Sequence, residues 1–366
     1  MRTCIAAGSL ALLFTVALLT RTSTVRAAHT AVPSWNEPAA AHFLDARELW
    51  WQAWPRARKD HGTLCISCHT VVPYAMVRPA LPGDTALTPP EQTMLASVEK
   101  RVTQWSDMTP FYLDSKYGAG KTAESHATEA VLNAVILASY DRAQSQIRSV
   151  TRAAFDHAWD LQESTGPLAG AWKWQDFRLG PWESSESGYQ GAALLYLEAA
   201  NLPGYAQEPA TRPHLAALRD YLRRNYAGQP LLNQIYILWA SAKDPALLNS
   251  TERQSLLAAL RAQRQSDGGF RLASLDPRVR VDHTTQVSAS DGYATGLVSL
   301  ALEANITPRR DPTLAGALDW LANHQQPDGS WTAASLNKQR DPASDPALFM
   351  TDAATAYAAL ALEHRP

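Results

Sequence analysis

Apolar positions in this chain follow two patterns, both helical. In "TLAGALDWLANHQ" (313–325), Leu314, Leu318 and Leu321 recur at three- and four-residue steps. In "RPHLAALRDYLRRNY" (212–226), Leu215, Leu218 and Leu222 do the same. Such spacing predicts amphipathic helices that cover a core on one side. The second pattern is apolar nearly all round: "EAVLNAVILASY", "GAALLYLEAA", "LLNQIYILWASA", "TGLVSLALEA" and "ATAYAALALE". A helix of that kind in a globular chain is a buried one. No stretch alternates apolar and polar residues for long enough to compete as a strand.

The two kinds take turns along the chain. Amphipathic helices are predicted near 91–105, 143–162, 211–226, 251–265 and 311–325, and buried ones near 125–140, 187–201, 230–242, 290–304 and 351–363. An earlier pair completes the series: "AHFLDARELWWQAW" (41–54) outside and "CHTVVPYAMVRPAL" (68–81) inside, the latter broken early by Pro73. Six outer–inner pairs close naturally into a ring, so the expected fold class is all-α, an (α/α)6 toroid. The turns inside the pairs repeat too. "HQQPDGSW" (324–331), "QRQSDGGF" (263–270) and the looser "QESTGPLAGAWKW" (162–174) each lead from an outer helix through glycine to an aromatic residue. Glycine supplies the left-handed turn at a helix C-terminus, and the aromatic plugs the gap between hairpins.

"GALDWLANHQQPDGSW" resembles the QW motif of squalene–hopene cyclases and related toroids, among them protein prenyltransferase β subunits. Gly316, Trp320, Leu321, Gln325, Gly329 and Trp331 match it, whereas Ala315 stands where the family has a basic residue. The 263–270 copy carries Phe270 in place of tryptophan. The resemblance covers roughly 90–364 and implies a double ring of helices around a central cavity for long apolar substrates. The family's chemistry is absent: there is no D-x-D-D acid motif, no D-D-x-x-D, and no cysteine or histidine beside Asp291 or in "TDAATAY" to complete a zinc set.

"LCISCH" (64–69) is the segment that carries chemistry of its own. C-x-x-C-H is the attachment signature of c-type haem. Two thiols one helical turn apart reach the vinyl groups on one porphyrin edge, and the adjacent imidazole lies under the ring. Zinc would need about four ligands, and no second cysteine pair exists after Cys65 and Cys68. A redox pair expects a βαβ setting, and a plain disulfide is the remaining alternative. The expectation is one covalent haem c on Cys65 and Cys68, with His69 as axial iron ligand. For the sixth position Met350 is preferred, with an open or water-ligated iron, His126 and Met108 as alternatives. Met76 lies on the same helix face as His69, and Met108 and His283 lie in loops that could fold over the mouth. Glu186, Asp291 and Asp352 stand at predicted inner-helix starts, where capping is the ordinary role of a carboxylate. Tyr189, Tyr293, Trp182 and Trp239 are candidate cavity walls. The loops "PWESSES" and "SLNKQRDPASD" are candidate rims.

The first 27 residues read as a signal peptide: Arg2, the apolar run "IAAGSLALLFTVALL", and "VRA" before the expected cut at Ala27. The run is short for a span of roughly 20 residues. Residues 28–38 read as a flexible leader, 39–366 as one toroid domain, and 39–88 as its haem-bearing first hairpin. The chain holds 33 basic and 35 acidic residues, and removal of Arg2, Arg21 and Arg26 leaves 30 against 35. No basic run points to nucleic acid or to an anionic membrane. Together these features predict an exported, periplasmic haem protein acting in electron transfer or haem-dependent oxidoreduction. Its expected partner is a redox protein or an apolar, isoprenoid-like small molecule. A binding scaffold with structural haem is the alternative, and a divergent cyclase without its acid comes third.

Overall fold

The computed structural model describes residues 35–81, 86–306 and 311–364. The expected signal peptide and residues 28–34 of the leader lie outside them. Twelve principal helices alternate in role. The outer ones are α1 (Glu37–Ala53), α3 (Pro89–Thr103), α5 (Ser149–Asp160), α7 (Thr211–Asn225), α9 (Ser250–Gln263) and α11 (Pro312–Asn323). The inner ones are α2 (Val71–Val77), α4 (Lys121–Ala143), α6 (Ser187–Asn201), α8 (Leu231–Ser241), α10 (Gly292–Asn305) and α12 (Asp345–Glu363). No strand occurs among the described residues, only two isolated bridges. No helix there is long and apolar enough to cross a membrane. The fold is all-α.

Burial separates the two sets as the hydrophobic pattern requires. Every residue from Ala127 to Asp141 in α4 and from Met350 to Leu362 in α12 is buried, whereas α7 buries only Thr211, Leu215, Leu218, Tyr221 and Leu222. Contacts run α2 to α4, α4 to α6, α6 to α8, α8 to α10, α10 to α12, and α12 back to α2. The inner helices therefore form a closed ring, consistent with a helical toroid. Outer helix α1 touches α2, α3 and α12, so the same closure is made on the outside.

The glycine–aromatic turns show how neighbouring pairs lock. Trp331 is buried; its indole Nε1 donates to the carbonyl of Leu321, in the last turn of α11, at 2.9 Å. Trp172 does the same for Ala158 at the end of α5, at 2.6 Å. The backbone N–H of Trp331 donates to Thr355 Oγ1 and that of Phe270 to Thr295 Oγ1, which tie each turn to the next inner helix. Gly329 adopts φ +91°, and a Cβ there would lie 2.2 Å from the backbone carbonyl of Ala39. Gln325 and Asn36 exchange hydrogen bonds of 2.6 and 2.9 Å across the same junction. The last pair is thereby sealed onto the first.

Three boundaries differ from the sequence pattern. Helix α1 starts inside the expected leader, because Asn36 caps it by accepting from Ala39 N–H, and Trp35 packs on Trp331 with ring centres 6.0 Å apart. Pro73 does not break α2: it sits in the first turn, where its missing N–H has no helical partner to lose. The helix gives way instead at Arg78–Ala80, around Pro79. Helix α12 begins at Asp345, earlier than expected, with Pro346 in its first turn.

Candidate functional site at the first mouth of the ring

The loop between α1 and α2 is fixed by hydrogen bonds on every side. Cys65 N–H donates to Ala57 O at 2.6 Å, and Trp51 Nε1 donates to Cys65 O at 2.8 Å. Ser67 Oγ accepts from the N–H groups of Thr70 and Val71, at 3.2 and 3.1 Å, and so satisfies orphan donors at the start of α2. Buried Arg101 anchors the loop from α3. It bonds Glu129 of α4 through both carboxylate oxygens, and reaches Thr63 Oγ1 at 2.8 Å and Thr109 O at 2.9 Å.

His69 is oriented by a chain that spans the ring closure. Arg47 of α1 grips Asp352 of α12 through two hydrogen bonds, of 2.6 and 3.2 Å. The Thr70 hydroxyl donates to Asp352 Oδ2 at 2.7 Å and lies 2.9 Å from His69 Nδ1. With its one proton given to Asp352, the hydroxyl accepts from Nδ1–H, which leaves the Nε2 lone pair free. Burial, reinforced by Arg47, pushes the imidazole down to about 3, so it is neutral. Phe349 stacks on the ring at 3.9 Å, Trp51 meets its edge at 5.3 Å, and Trp182 lies at 5.6 Å.

Two cavities meet here. The smaller, about 190 Å³, is lined by Cys65, Cys68, His69, Tyr112, Gln175 and Glu129, among others. The larger, about 520 Å³, is lined by Trp182, Ser335, Asn337, Arg340, Asp345 and Met350, among others. Trp54, His69, Glu183 and Phe349 border both and form the partition. Both cysteines are free thiols, and burial pushes Cys65 up to about 12 and Cys68 upward as well. Burial also pushes the Glu183 carboxyl up to about 7, and no hydrogen bond to that carboxyl is found among the described residues. The Gln175 amide is buried with neither polar atom partnered.

Several residues singled out by sequence are brought together and others are not. Cys65, Cys68, His69, Met350 and Trp182 share these cavities, and the rim loops contribute Glu183, Ser335, Asn337, Arg340 and Asp345. His126 stacks on Trp105 at 4.2 Å and lines neither cavity, nor does buried Met108. His283 is an exposed loop residue. Asp291 is a cap, accepting from Ala294 N–H at 2.8 Å and Leu272 N–H at 2.6 Å. Asp352 is not at a helix start; it is the carboxylate of the closure. Glu186 precedes α6 but makes no side-chain cap. Tyr189 is no cavity wall, since its hydroxyl donates outward to Leu222 O at 2.9 Å. Tyr293 is buried in a hydroxyl cluster with Tyr236 and Tyr357, at 3.1 and 3.3 Å from the Tyr236 oxygen.

Haem would find suitable donors in this loop: two free thiols and a neutral imidazole with Nε2 free face one cavity. The space is the obstacle. About 190 Å³ is below the roughly 300 Å³ at which small-molecule pockets begin, so Phe349 has to leave the His69 ring for the two cavities to join.

No family model matches the chain, and no curated protein matches it. Solved structures do share the fold. One, named as a wild-type glycosidase, aligns over 90% of this chain and 98% of its own, with TM-score 0.52 and 12% identity. A single-residue variant of a glycosidase aligns over 90% and 97%, with TM-score 0.52 and 11% identity. At that identity the likeness is one of fold. On this comparison the expectation of a haem-dependent electron carrier or oxidoreductase is corrected. The structural neighbours are named glycosidases, not haem or electron-transfer proteins. Among the described residues, moreover, no group of three or more His, Cys, Asp or Glu side chains gathers to hold a metal ion.

Proposed function

We propose that the larger first-mouth cavity is a glycoside-processing site in which Glu183 is the proton donor. The observation that carries this reading is a carboxyl held protonated up to about pH 7 on the wall of an aromatic cavity of about 520 Å³. Glycoside hydrolysis needs an acid of that kind and a second carboxylate, and Asp345 lines the same cavity. Trp54, Trp182 and Phe349 supply flat apolar faces for a sugar ring, and Asn337 and Arg340 supply donors for its hydroxyls. Glu183 gives its proton to the leaving oxygen as the glycosidic C–O bond breaks. Asp345 takes a proton from the water that attacks the anomeric carbon. The test is a panel of aryl glycosides assayed between pH 5 and 8. Glu183→Gln should cut turnover roughly a hundredfold or more while tryptophan fluorescence still reports sugar binding. No hydrolysis across the panel, or an unchanged rate in Glu183→Gln, would sink this reading.

A second reading concerns cofactor content and is favoured by Cys65, Cys68 and His69 all lining one cavity. We propose that, once Phe349 swings off His69 and the two cavities join, Cys65 and Cys68 hold one haem c by thioether bonds, with His69 on the iron. Haem held by these residues would supply an iron centre. Attachment of this kind takes place outside the cytoplasm, so export goes with it. Protein matured in a periplasm should give a haem-stained band that survives denaturing electrophoresis and is lost in Cys65→Ala and Cys68→Ala. Two titratable thiols in that matured protein would rule it out.

A further inference from the structure

The ring has a second mouth, and we infer that it binds an amphiphilic organic cation: an ammonium group on an apolar body. The cavity there is about 550 Å³ and shares no lining residue with the first-mouth cavities. It is lined by the C-terminal ends of all six inner helices, from Met76 of α2 to Leu360 of α12. Unpaired carbonyls at helix C-termini carry roughly half a negative charge per helix. The C-terminal ends of the inner helices converge on this space, and a cation is the charge that suits their partial negative charge.

The side chains sharpen the choice. Glu303 of α10 lines the cavity, and both its carboxyl oxygens are buried with no hydrogen-bond partner. An acidic group in that condition lacks a counter-group. The cations already present do not fill the role. Arg142 is committed to Glu198, Nε to Oε2 3.2 Å. Lys243 is exposed, and His364 is driven neutral by burial and then by Arg142 and Lys243. Burial pushes Glu303 up to about 8, so it waits as a neutral acid and ionises when a cation arrives. Trp239 offers an indole face on the wall, and Leu197, Leu300 and Leu360 offer the apolar seat. An anion would meet the carbonyl ends with Arg142 already spent on Glu198, and a neutral alcohol would leave the helix field unused.

The probe is 2-phenylethylammonium, titrated calorimetrically into the full-length protein beside 2-phenylethanol and phenylacetate. The cation should bind at least tenfold more tightly than the alcohol, phenylacetate should not bind, and proton release should appear as a buffer-dependent heat. Glu303→Gln should weaken the cation at least tenfold and abolish the proton release. Trp239→Leu should weaken it severalfold, with Glu183→Gln unchanged in both respects. Equal binding of alcohol and cation would overturn the inference, as would unaltered affinity in a Glu303→Gln protein that melts cooperatively. Loss of binding in Glu183→Gln would place the ligand at the other mouth and overturn it too.

Discussion

Replacing Gly329 by alanine tests whether the ring closes where the last turn meets α1. The substitution makes two separable demands. Gly329 sits at φ +91°, where an L-residue costs about 1–2 kcal/mol. Its new Cβ would also lie 2.2 Å from the Ala39 carbonyl, which is backbone and cannot rotate away. Forcing an added methyl into a packed junction costs a further 1–3 kcal/mol or about that. The expected loss is therefore about 2–5 kcal/mol, near 3 if α1 slides slightly. Gly204 is the control, because it has φ +75° and nothing within 4 Å of its imagined Cβ. Gly204→Ala should lose only the backbone part, about 1–2 kcal/mol. Urea unfolding of the two variants, followed by far-UV circular dichroism, gives the difference directly as long as m is unchanged. If Gly329→Ala is no less stable than Gly204→Ala, then α1 does not press on this turn in solution and the argument for closure fails.

Other expectations follow from the same residues. Arg47→Ala leaves Asp352 buried with only the Thr70 hydroxyl and no countercharge, and should cost about 3–5 kcal/mol in urea unfolding, whereas Arg47→Met with Asp352→Leu should recover most of it. Glu183 has its carboxyl raised from 4.5 to about 7 by burial. The stability it contributes is thus fully present below pH 4.5 and lost as pH rises through 7. The loss is roughly 3 kcal/mol at most, and Glu183→Gln should flatten that part of the stability profile. Trp182→Ala should raise the KM for an aryl glycoside roughly tenfold, through loss of an aromatic face, with kcat changed far less. Equal loss in kcat would place Trp182 at the reacting bond instead.

The architecture was legible because helix period and burial are set by the same residues. Leu314, Leu318 and Leu321 share one face in sequence, and all three are buried in α11. The spans of α6 and α8 follow the uninterrupted apolar runs nearly residue for residue. Helix ends were harder, since capping is decided locally. Asn36 and Trp35 looked like leader because nothing in "PSWNEP" announces that Gln325 and Trp331, nearly 300 positions away, complete the helix start. Asp352 departs from its expected place for a related reason. Its position suggested a cap, but Pro346 lets α12 start earlier, and the carboxylate is then free to meet Arg47 from α1.

The site was readable only as far as its local part. "CISCH" is contiguous, so its residues could be named from spacing alone. Glu183 could not, although "PWESSES" was flagged as a rim. A carboxylate becomes an acid catalyst through its surroundings, and those of Glu183 come from Trp54, His69 and Phe349, on three separate elements. One signal was available in principle: Trp182 and Glu183 form an aromatic–acid pair inside a polar loop, and an apolar neighbour raises a carboxyl. That pairing is too common to carry weight until the fold sets it against His69. Phe349 shows the same limit more sharply. In sequence it is one more apolar residue near the last helix. In the folded ring it lies flat on His69 and divides one space into two, so Phe349→Ala is the substitution that should join them. A porphyrin-sized aromatic dye should then bind at least tenfold more tightly than in the unmodified protein, with stability lowered by about 3 kcal/mol. Unchanged dye affinity in a cooperatively folding Phe349→Ala variant would show that the partition is made by Trp54 and Glu183 instead.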